Sequence, residues 1–238
     1  MEKNTLQFHA DADESDPRDG SPHRLESDAW HAVYGREAER RRRRGAMPRK
    51  LALLGVDAAP RPSAVLDLCC GHGEALETLH SLGFRNLHGL DLAVDDALAA
   101  DSRFHVTAGD ATHVDAPDAS FDWILNIHAM HHFATAENVR LFLNECHRLL
   151  KPGGRLGIVD FPASPQIRLA FWWFRQNVGL WTPYLKTFGH HIQEEWHFLR
   201  NYLPQWPTVR RMLLAGPFEV ERHRRRLFYF YLTLRKAR

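Results

Sequence analysis

The sequence predicts an α/β fold in which a doubly wound, mostly parallel seven-stranded sheet carries helices on both faces. Between residues 65 and 161, short apolar runs alternate with segments suited to helices, and repeated β-then-α units form parallel sheets with right-handed crossovers. Residues 218–222 and 227–234 then follow as two consecutive strands joined by a turn at 223–226, which predicts a C-terminal antiparallel hairpin. A mostly helical aromatic segment, 162–215, forms an insertion before this hairpin.

Composition limits the classes of protein that this chain can belong to. The 238 residues are 44% apolar, which suits one α/β domain with an elaboration, and the formal net charge of +2 does not indicate a polyanion-binding molecule. The chain contains no apolar run of about 18 residues, as a membrane span requires, and no signal-peptide pattern. Three cysteines in apolar sequence, without zinc-site spacing, predict a cytoplasmic protein with no metal site.

The N-terminal region differs in composition from the rest. Residues 1–27 are acidic and polar and are predicted to be a disordered tail, residues 28–58 a helical cap, and residues 59–238 the main domain. Arg40 to Arg44 interrupt the predicted cap helix. We interpret this run as a solvated face, partly neutralised by Glu37 and Glu39, with binding of RNA or an anionic carrier as the alternative.

The first half of the main domain consists of three strand predictions separated by two helices. Apolar runs and a stop at Gly83 place these elements, in chain order, at residues 65–68, 74–82, 87–91, 95–100 and 104–108.

The second half contains the clearest helix in the chain. Phe121 to Ile127 is predicted as strand four, and Thr135 is suited to cap the helix after it. Six apolar residues fall on one face of that helix: Val139, Phe142, Leu143, Cys146, Leu149 and Leu150. The sequence Lys151-Pro152-Gly153-Gly154 ends it, and residues 155–161 are predicted as strand five.

The loop after strand one is the most informative segment. Val65-Leu66-Asp67-Leu68-Cys69-Cys70-Gly71-His72-Gly73-Glu74 reads as a buried strand, a glycine turn and a helix start. This geometry brings backbone N–H groups close to a ligand. The dinucleotide pattern G-x-G-x-x-G is not met, because Cys69 and Leu76 stand at two of its glycine positions.

The segment resembles motif I of class I S-adenosylmethionine (SAM)-dependent methyltransferases, with Cys69 at the first glycine, a variant also found among quinone-type C-methyltransferases. Four more segments resemble this family in the same order: Leu87 to Leu92, Gly109-Asp110-Ala111, Phe121 to Phe133, and Glu145 to Gly154. The resemblance covers about residues 60–161. We interpret Glu145 and Arg148 as structural, holding the junction between the helix and strand five.

The resemblance implies SAM as the cofactor and assigns residues to its parts. Asp67 would support the methionine moiety, and Asp91 the ribose hydroxyls. The other implied cofactor contacts are Cys69, Gly71 and Gly73 under the ligand, Leu92, Asp110 and Ala111 around the adenosine, and Asn126 and His128 beside the cofactor. As alternatives, Asp67 is a turn cap, Asp91 a solvated strand end and Gly109-Asp110 an ordinary turn.

A base for the reaction is predicted after strand four. Methyl transfer from a sulfonium requires alignment, desolvation and, for a hydroxyl acceptor, removal of a proton. We expect His131 to be the catalytic base, with His132 or Asp160 assisting, since some O-methyltransferases of the resembling family use a histidine with an acid near the end of strand five. The alternative is that these histidines only cap or pack a helix.

The predicted reaction is O-methylation of a small-molecule acceptor. The Asn/Asp-Pro-Pro-Tyr motif of base N-methyltransferases is replaced by Asn126-Ile127-His128-Ala129, which disfavours nucleic acid as a partner. C-methylation of a quinone or lipid-like ring at a membrane surface is the alternative reaction. A SAM-binding protein without catalysis is the competing class.

The aromatic segment admits three interpretations. Phe171, Trp172, Phe174 and Trp181 line an acceptor pocket as part of a lid, or form the core of a small helical subdomain. In the third, Arg168, Arg175 and Lys186 interleave with the tryptophans on an interfacial helix in peripheral contact with a membrane. The sequence names neither the acceptor nor the oligomeric state.

Overall fold

The computed structural model describes residues 37–133, 135–176, 189, 192–193, 195–226 and 228–238. The predicted tail, residues 1–27, lies outside the described residues, as do Trp181 and Lys186. The side chains of residues 37–43 and 175, which include most of the arginine run, also lie outside this description.

The fold is the predicted α/β sandwich built on one mixed sheet. Its seven strands are β1 (Ala64–Leu68), β2 (Asn86–Asp91), β3 (His105–Ala108), β4 (Phe121–Ile127), β5 (Leu150–Asp160), β6 (Phe218–Arg226) and β7 (Tyr229–Lys236). The helices described are α1 (Glu37–Leu54), α2 (Glu74–Ser81), α3 (Asp96–Ala99), α4 (Ala136–Leu149), α5 (Pro165–Arg175) and α6 (Trp196–Ala215), with 3₁₀ turns at Val56–Ala58 and Met130–His132. None of these helices is long and apolar enough to cross a membrane.

Strand order explains where a ligand site forms. The order is β3-β2-β1-β4-β5-β7-β6, with β7 antiparallel to both its neighbours and the other pairs parallel. The order reverses between β1 and β4, so the loops after these strands leave the sheet in opposite directions. Open parallel sheets bind ligands in the crevice at this point.

Two apolar cores lie on the two faces of the sheet. One is formed by α1, α2 and α3 and contains Leu51, Leu54, Leu76 and Leu79, all buried. The other lies under α4, α5 and α6. It includes all six residues of the predicted α4 face, and the Thr135 hydroxyl accepts a bond from the Asn138 N–H at 3.1 Å as the predicted cap.

Three predicted boundaries were wrong. α1 runs through Arg40–Arg44 without interruption, because arginine is a good helix former and this face need not be buried. β5 begins at Leu150, which pairs with Phe121 before a bulge, so the glycines lie inside the strand. β6 continues through Arg226, which pairs with Tyr229, so residues 223–226 form an exposed edge strand and not a turn.

The Glu145–Arg148 pair is structural, but it holds a different segment from the one expected. Arg148 makes two bonds to the Glu145 carboxylate, at 2.7 and 2.9 Å, and donates to the carbonyls of Val114 and Ala116 at 2.9 and 2.7 Å. Glu145 also accepts the Val114 N–H at 2.7 Å. The pair therefore clamps the connection between β3 and β4 to α4.

Candidate active site

The loop after β1 turns sharply and rests on β2. Cys69, Gly71 and Gly73 adopt positive φ angles of 62°, 54° and 76°. The Cys69 and Cys70 N–H groups both donate to the Leu90 carbonyl, at 2.8 and 3.1 Å. A Cβ at Gly73 would lie 2.8 Å from Leu98, so a larger residue there would meet both strain and a clash.

Asp91 is fixed beside this loop at the end of β2. Its Oδ2 accepts the Gly71 N–H at 2.8 Å and its Oδ1 accepts the Ala93 N–H at 3.3 Å. Each carboxylate oxygen has two acceptor sites, so a carboxylate at this position can accept several hydrogen bonds. The next residue, Leu92, has 57% of its surface exposed and offers an apolar surface for a flat ring.

A concentration of negative charge lies under the loop. Burial, followed by the charges of Glu74 and Asp91, raises the pKa of Asp67 well above its ordinary value. Burial likewise raises the pKa of the Cys69 thiol, with Asp91 and Asp67 adding to the shift. A cationic ligand would be favoured here, because a positive charge offsets the repulsion among these carboxylates.

Asn126 and the β3 loop complete this part of the site. The Asn126 side chain is fully buried, its Nδ2 donates to the Leu68 carbonyl at 3.2 Å, and its Oδ1 has no hydrogen-bond partner among the described residues. Asp110 is exposed and accepts the N–H and hydroxyl of Thr112 at 2.7 and 2.8 Å, while Ala111 is buried. Asp110 can therefore both stabilise a turn and contact the adenosine of a bound cofactor.

SAM fits these residues. The ribose diol of SAM needs hydrogen-bond acceptors of the kind that Asp91 provides. Its positively charged amino group and sulfonium are favoured by the carboxylates under the loop after β1. Its adenine ring can pack against the exposed side chain of Leu92. Asn126 Oδ1 is a buried acceptor that has no donor among the described residues. The sequence alone could not locate this last feature.

His128 follows β4 directly and packs against aromatic side chains. Its backbone has a positive φ of 59°, and its ring packs against Tyr229 of β7 at 4.5 Å and Phe161 at 6.0 Å, measured between ring centroids. These contacts show that part of the His128 ring packs against aromatic side chains of β7 and of the residue after β5. Its role as a cofactor contact stays a prediction.

The three predicted catalytic residues come together at the ends of β4 and β5. His131 Nδ1 lies 2.8 Å from Asp160 Oδ1, and both side chains are buried. Asp160 also accepts the backbone N–H groups of His131 and Phe161, at 3.1 and 2.6 Å. His132 lies next to His131 and stacks on Phe198 with ring centroids 4.3 Å apart.

Glu195, immediately before α6, joins this cluster and was missed by the sequence analysis. Its Oε2 lies 3.3 Å from His131 Nε2, and its Oε1 lies 3.6 Å from His132 Nε2. Burial raises its pKa to about 8. Its sequence context, an acid in an aromatic segment without a recognised motif, carries no signal for this role.

The same cluster is able to hold a metal ion. Within the part of the chain that the structure describes, His131, His132 and Glu195 are the group whose ligand atoms all lie within 4.8 Å of one another. Histidine nitrogens and a carboxylate suit several divalent metals. The sequence predicted that the protein has no metal site, and the absence of a bound metal remains a prediction.

Comparison with known proteins identifies the domain. Residues 66–158, from β1 to β5, match the family model described as a methyltransferase domain. This part of the chain is a class I SAM-dependent methyltransferase domain. Its cofactor is SAM, as the resemblance implied.

Solved methyltransferases share the fold. The 1,6-didemethyltoxoflavin-N1-methyltransferase of Burkholderia thailandensis is 20% identical, with a TM-score of 0.58 over 97% of this chain and 98% of that one. The magnesium protoporphyrin IX methyltransferase of Synechocystis PCC 6803 is 16% identical, with a TM-score of 0.58 over 90% and 95% of the two chains.

Curated relatives of this methyltransferase domain differ in their acceptors. The tRNA (carboxymethyluridine(34)-5-O)-methyltransferase ALKBH8 of Mus musculus is 34% identical over 55% of this chain and 19% of its own length. A probable phthiotriol/phenolphthiotriol dimycocerosates methyltransferase of Mycobacterium ulcerans is 32% identical over 45% of this chain and 42% of its own. In each case the match spans less than half the relative's length.

Proposed function

We propose that this protein transfers a methyl group from SAM to a hydroxyl of a small-molecule acceptor, with the His131–Asp160 pair as its base. The observation that carries the proposal is the buried contact between these two side chains at the ends of β4 and β5, adjacent to the strand order reversal where we expect SAM to bind. An imidazole whose Nδ1 is held by a carboxylate presents its other nitrogen as a proton acceptor.

The residues of the cluster take separate parts in the reaction. Bound SAM supplies a methyl group already activated on a sulfonium. Asp160 accepts the Nδ1–H of His131, which fixes the tautomer and leaves Nε2 as the proton acceptor. His131 Nε2 would take the hydroxyl proton of the acceptor while the acceptor oxygen takes the methyl group and S-adenosylhomocysteine leaves.

Glu195 is suited to assist this proton transfer. Its Oε2 lies 3.3 Å from the nitrogen that takes the proton. When ionised, it stabilises the imidazolium that forms and can receive the proton from Nε2. Because its pKa is about 8, this assistance becomes available mainly in mildly basic solution.

An oxygen acceptor is favoured over carbon, and a tRNA acceptor is the second candidate. The printed name of the mouse relative specifies methyl transfer to oxygen, and also specifies tRNA. The mycobacterial relatives are instead named for phthiotriol and phenolphthiotriol dimycocerosates. C-methylation of a lipid-like ring, or SAM binding without turnover, would leave the buried histidine–aspartate pair without a proton to accept from a hydroxyl.

A turnover assay tests the proposal. The purified chain is incubated with methyl-labelled SAM and separate pools of phenols, quinols, long-chain alcohols and tRNA, and labelled product and S-adenosylhomocysteine are measured. We expect a hydroxyl compound to be methylated, and His131→Ala to abolish this while His80→Ala, remote from the cluster, retains it. Label appearing only in tRNA, only on carbon, or in no pool would contradict the proposal.

A further inference from the structure

Helix α5 has an exposed apolar face. Ile167, Phe171 and Phe174 point inward and are buried. On the opposite side Leu169, Trp172 and Trp173 are 64%, 55% and 37% exposed. Their spacing of three and four residues places them in one stripe along the helix. Contiguous apolar surface of this kind marks a site of interaction.

The end of the edge strand β6 carries strong positive charge. Residues 222–226 are four arginines and a histidine, and all are exposed. The acids earlier in the strand are neutralised elsewhere, Glu219 by Arg235 and Glu221 by Arg155. In the described part of the chain, none of the four arginines forms an ion pair.

These two features belong to elements that contact each other. Arg225 donates to the hydroxyl of Ser164, which caps the start of α5, at 2.8 Å. At the other end of the helix, Phe174 packs against Phe228, just past β6, with ring centroids 6.0 Å apart. The tip of the hairpin therefore lies along α5, and we call the exposed stripe and residues 222–226 together the α5–β6 surface.

We propose that the α5–β6 surface binds the face of an anionic lipid bilayer. Tryptophan and leucine side chains partition into the boundary between headgroups and acyl chains, and neighbouring arginines attract anionic headgroups. RNA would use the arginines but would leave Leu169 exposed to water. The contact is peripheral, because none of the described helices could span a membrane.

The surface adjoins the candidate active site. The Phe161 ring contacts Phe171 on the inner face of α5 and also His131, with centroid distances of 5.1 and 5.3 Å. Docking through α5 would bring the catalytic cluster to the membrane, within reach of an acceptor dissolved there. The proposal goes beyond methyl transfer and does not depend on His131 being the base.

Co-sedimentation of the full chain with lipid vesicles tests whether the α5–β6 surface binds an anionic bilayer. Phosphatidylcholine vesicles are compared with vesicles that also contain phosphatidylglycerol, at low and at physiological salt. We expect binding to the anionic vesicles only, weaker at higher salt, with a blue shift in tryptophan emission. The double variants R224E/R226E and L169S/W172S should each lower the partition coefficient by at least roughly tenfold.

Matched controls lie away from this surface. Arg103→Glu reverses an exposed charge at the β3 edge, the opposite edge of the sheet, and Leu141→Ser removes a leucine that is 41% exposed on α4. Both should bind like the wild type, and circular dichroism should show every variant folded. The proposal is overturned if folded wild-type protein does not sediment with anionic vesicles, if the surface variants bind as well as the controls, or if only a short RNA is bound.

Discussion

Nδ1 of His131 lies 2.8 Å from Oδ1 of Asp160, inside the protein, at the ends of two adjacent parallel strands. The same carboxylate accepts the backbone N–H of His131, so both the main chain and the ring of this histidine are held by one acid. The ring orientation is thus set by the fold, and its second nitrogen faces Glu195.

Asp160→Asn should lower kcat strongly while leaving SAM affinity unchanged. An amide offers only one acceptor oxygen and can present an N–H to His131 Nδ1, which would favour the wrong tautomer. We expect a loss of about 10²–10⁴-fold, the usual contribution of general base catalysis. Steady-state kinetics and SAM titration check this. Near-normal kcat in the folded variant would show that the pair is only structural.

The pH profile of kcat should report Glu195. Its pKa is raised to about 8 by burial, so its carboxylate is neutral below this pH and ionised above it. Since the ionised form stabilises protonated His131, kcat should rise with pH and level off above about 8. Glu195→Gln should flatten that rise and lower the plateau. An unchanged profile in this variant would remove Glu195 from the proton pathway.

Ionisation of Glu195 should also make the folded protein less stable as pH rises, in contrast to its effect on kcat. In the unfolded chain Glu195 ionises near its ordinary pKa of 4.5, whereas the folded protein retains the proton up to about pH 8. The free energy of unfolding therefore falls as pH rises across this window, since the native state binds the extra proton. Thermal melts should show Glu195→Gln gaining Tm relative to the wild type between these limits. A constant Tm difference would argue against a buried neutral Glu195.

Methyl transfer should not require a metal. The His131, His132 and Glu195 atoms could bind an ion, but Asp160 and His131 already supply a base without one. Dialysis against EDTA should leave kcat unchanged, and elemental analysis should find no stoichiometric metal. Loss of turnover that Zn²⁺ or Mn²⁺ restores would mean that this cluster is a metal centre.

The strand pattern could be predicted because parallel strands buried on both faces leave nearly continuous apolar runs, as Val65–Leu68 and Ile124–Ile127 show. The extent of β6 could not be predicted from the sequence, because an exposed edge strand rich in arginine has no alternating apolar pattern. Asp160 was predictable from its place at the end of a strand. Glu195 was not, since only tertiary packing brings the start of α6 to His131.

The most direct test of the account is SAM binding by an Asp91 variant. Asp91→Ala removes acceptors for two ribose hydroxyls, and hydrogen bonds to a charged group are worth about 1.5–3 kcal/mol each. Calorimetric titration should therefore show SAM affinity lower by at least roughly tenfold, with a smaller loss for Asp91→Asn and none for the exposed control Asp118→Ala. Thermal melts establish that each variant is folded. Wild-type SAM affinity in folded Asp91→Ala would contradict the placement of the cofactor, and with it the proposed reaction.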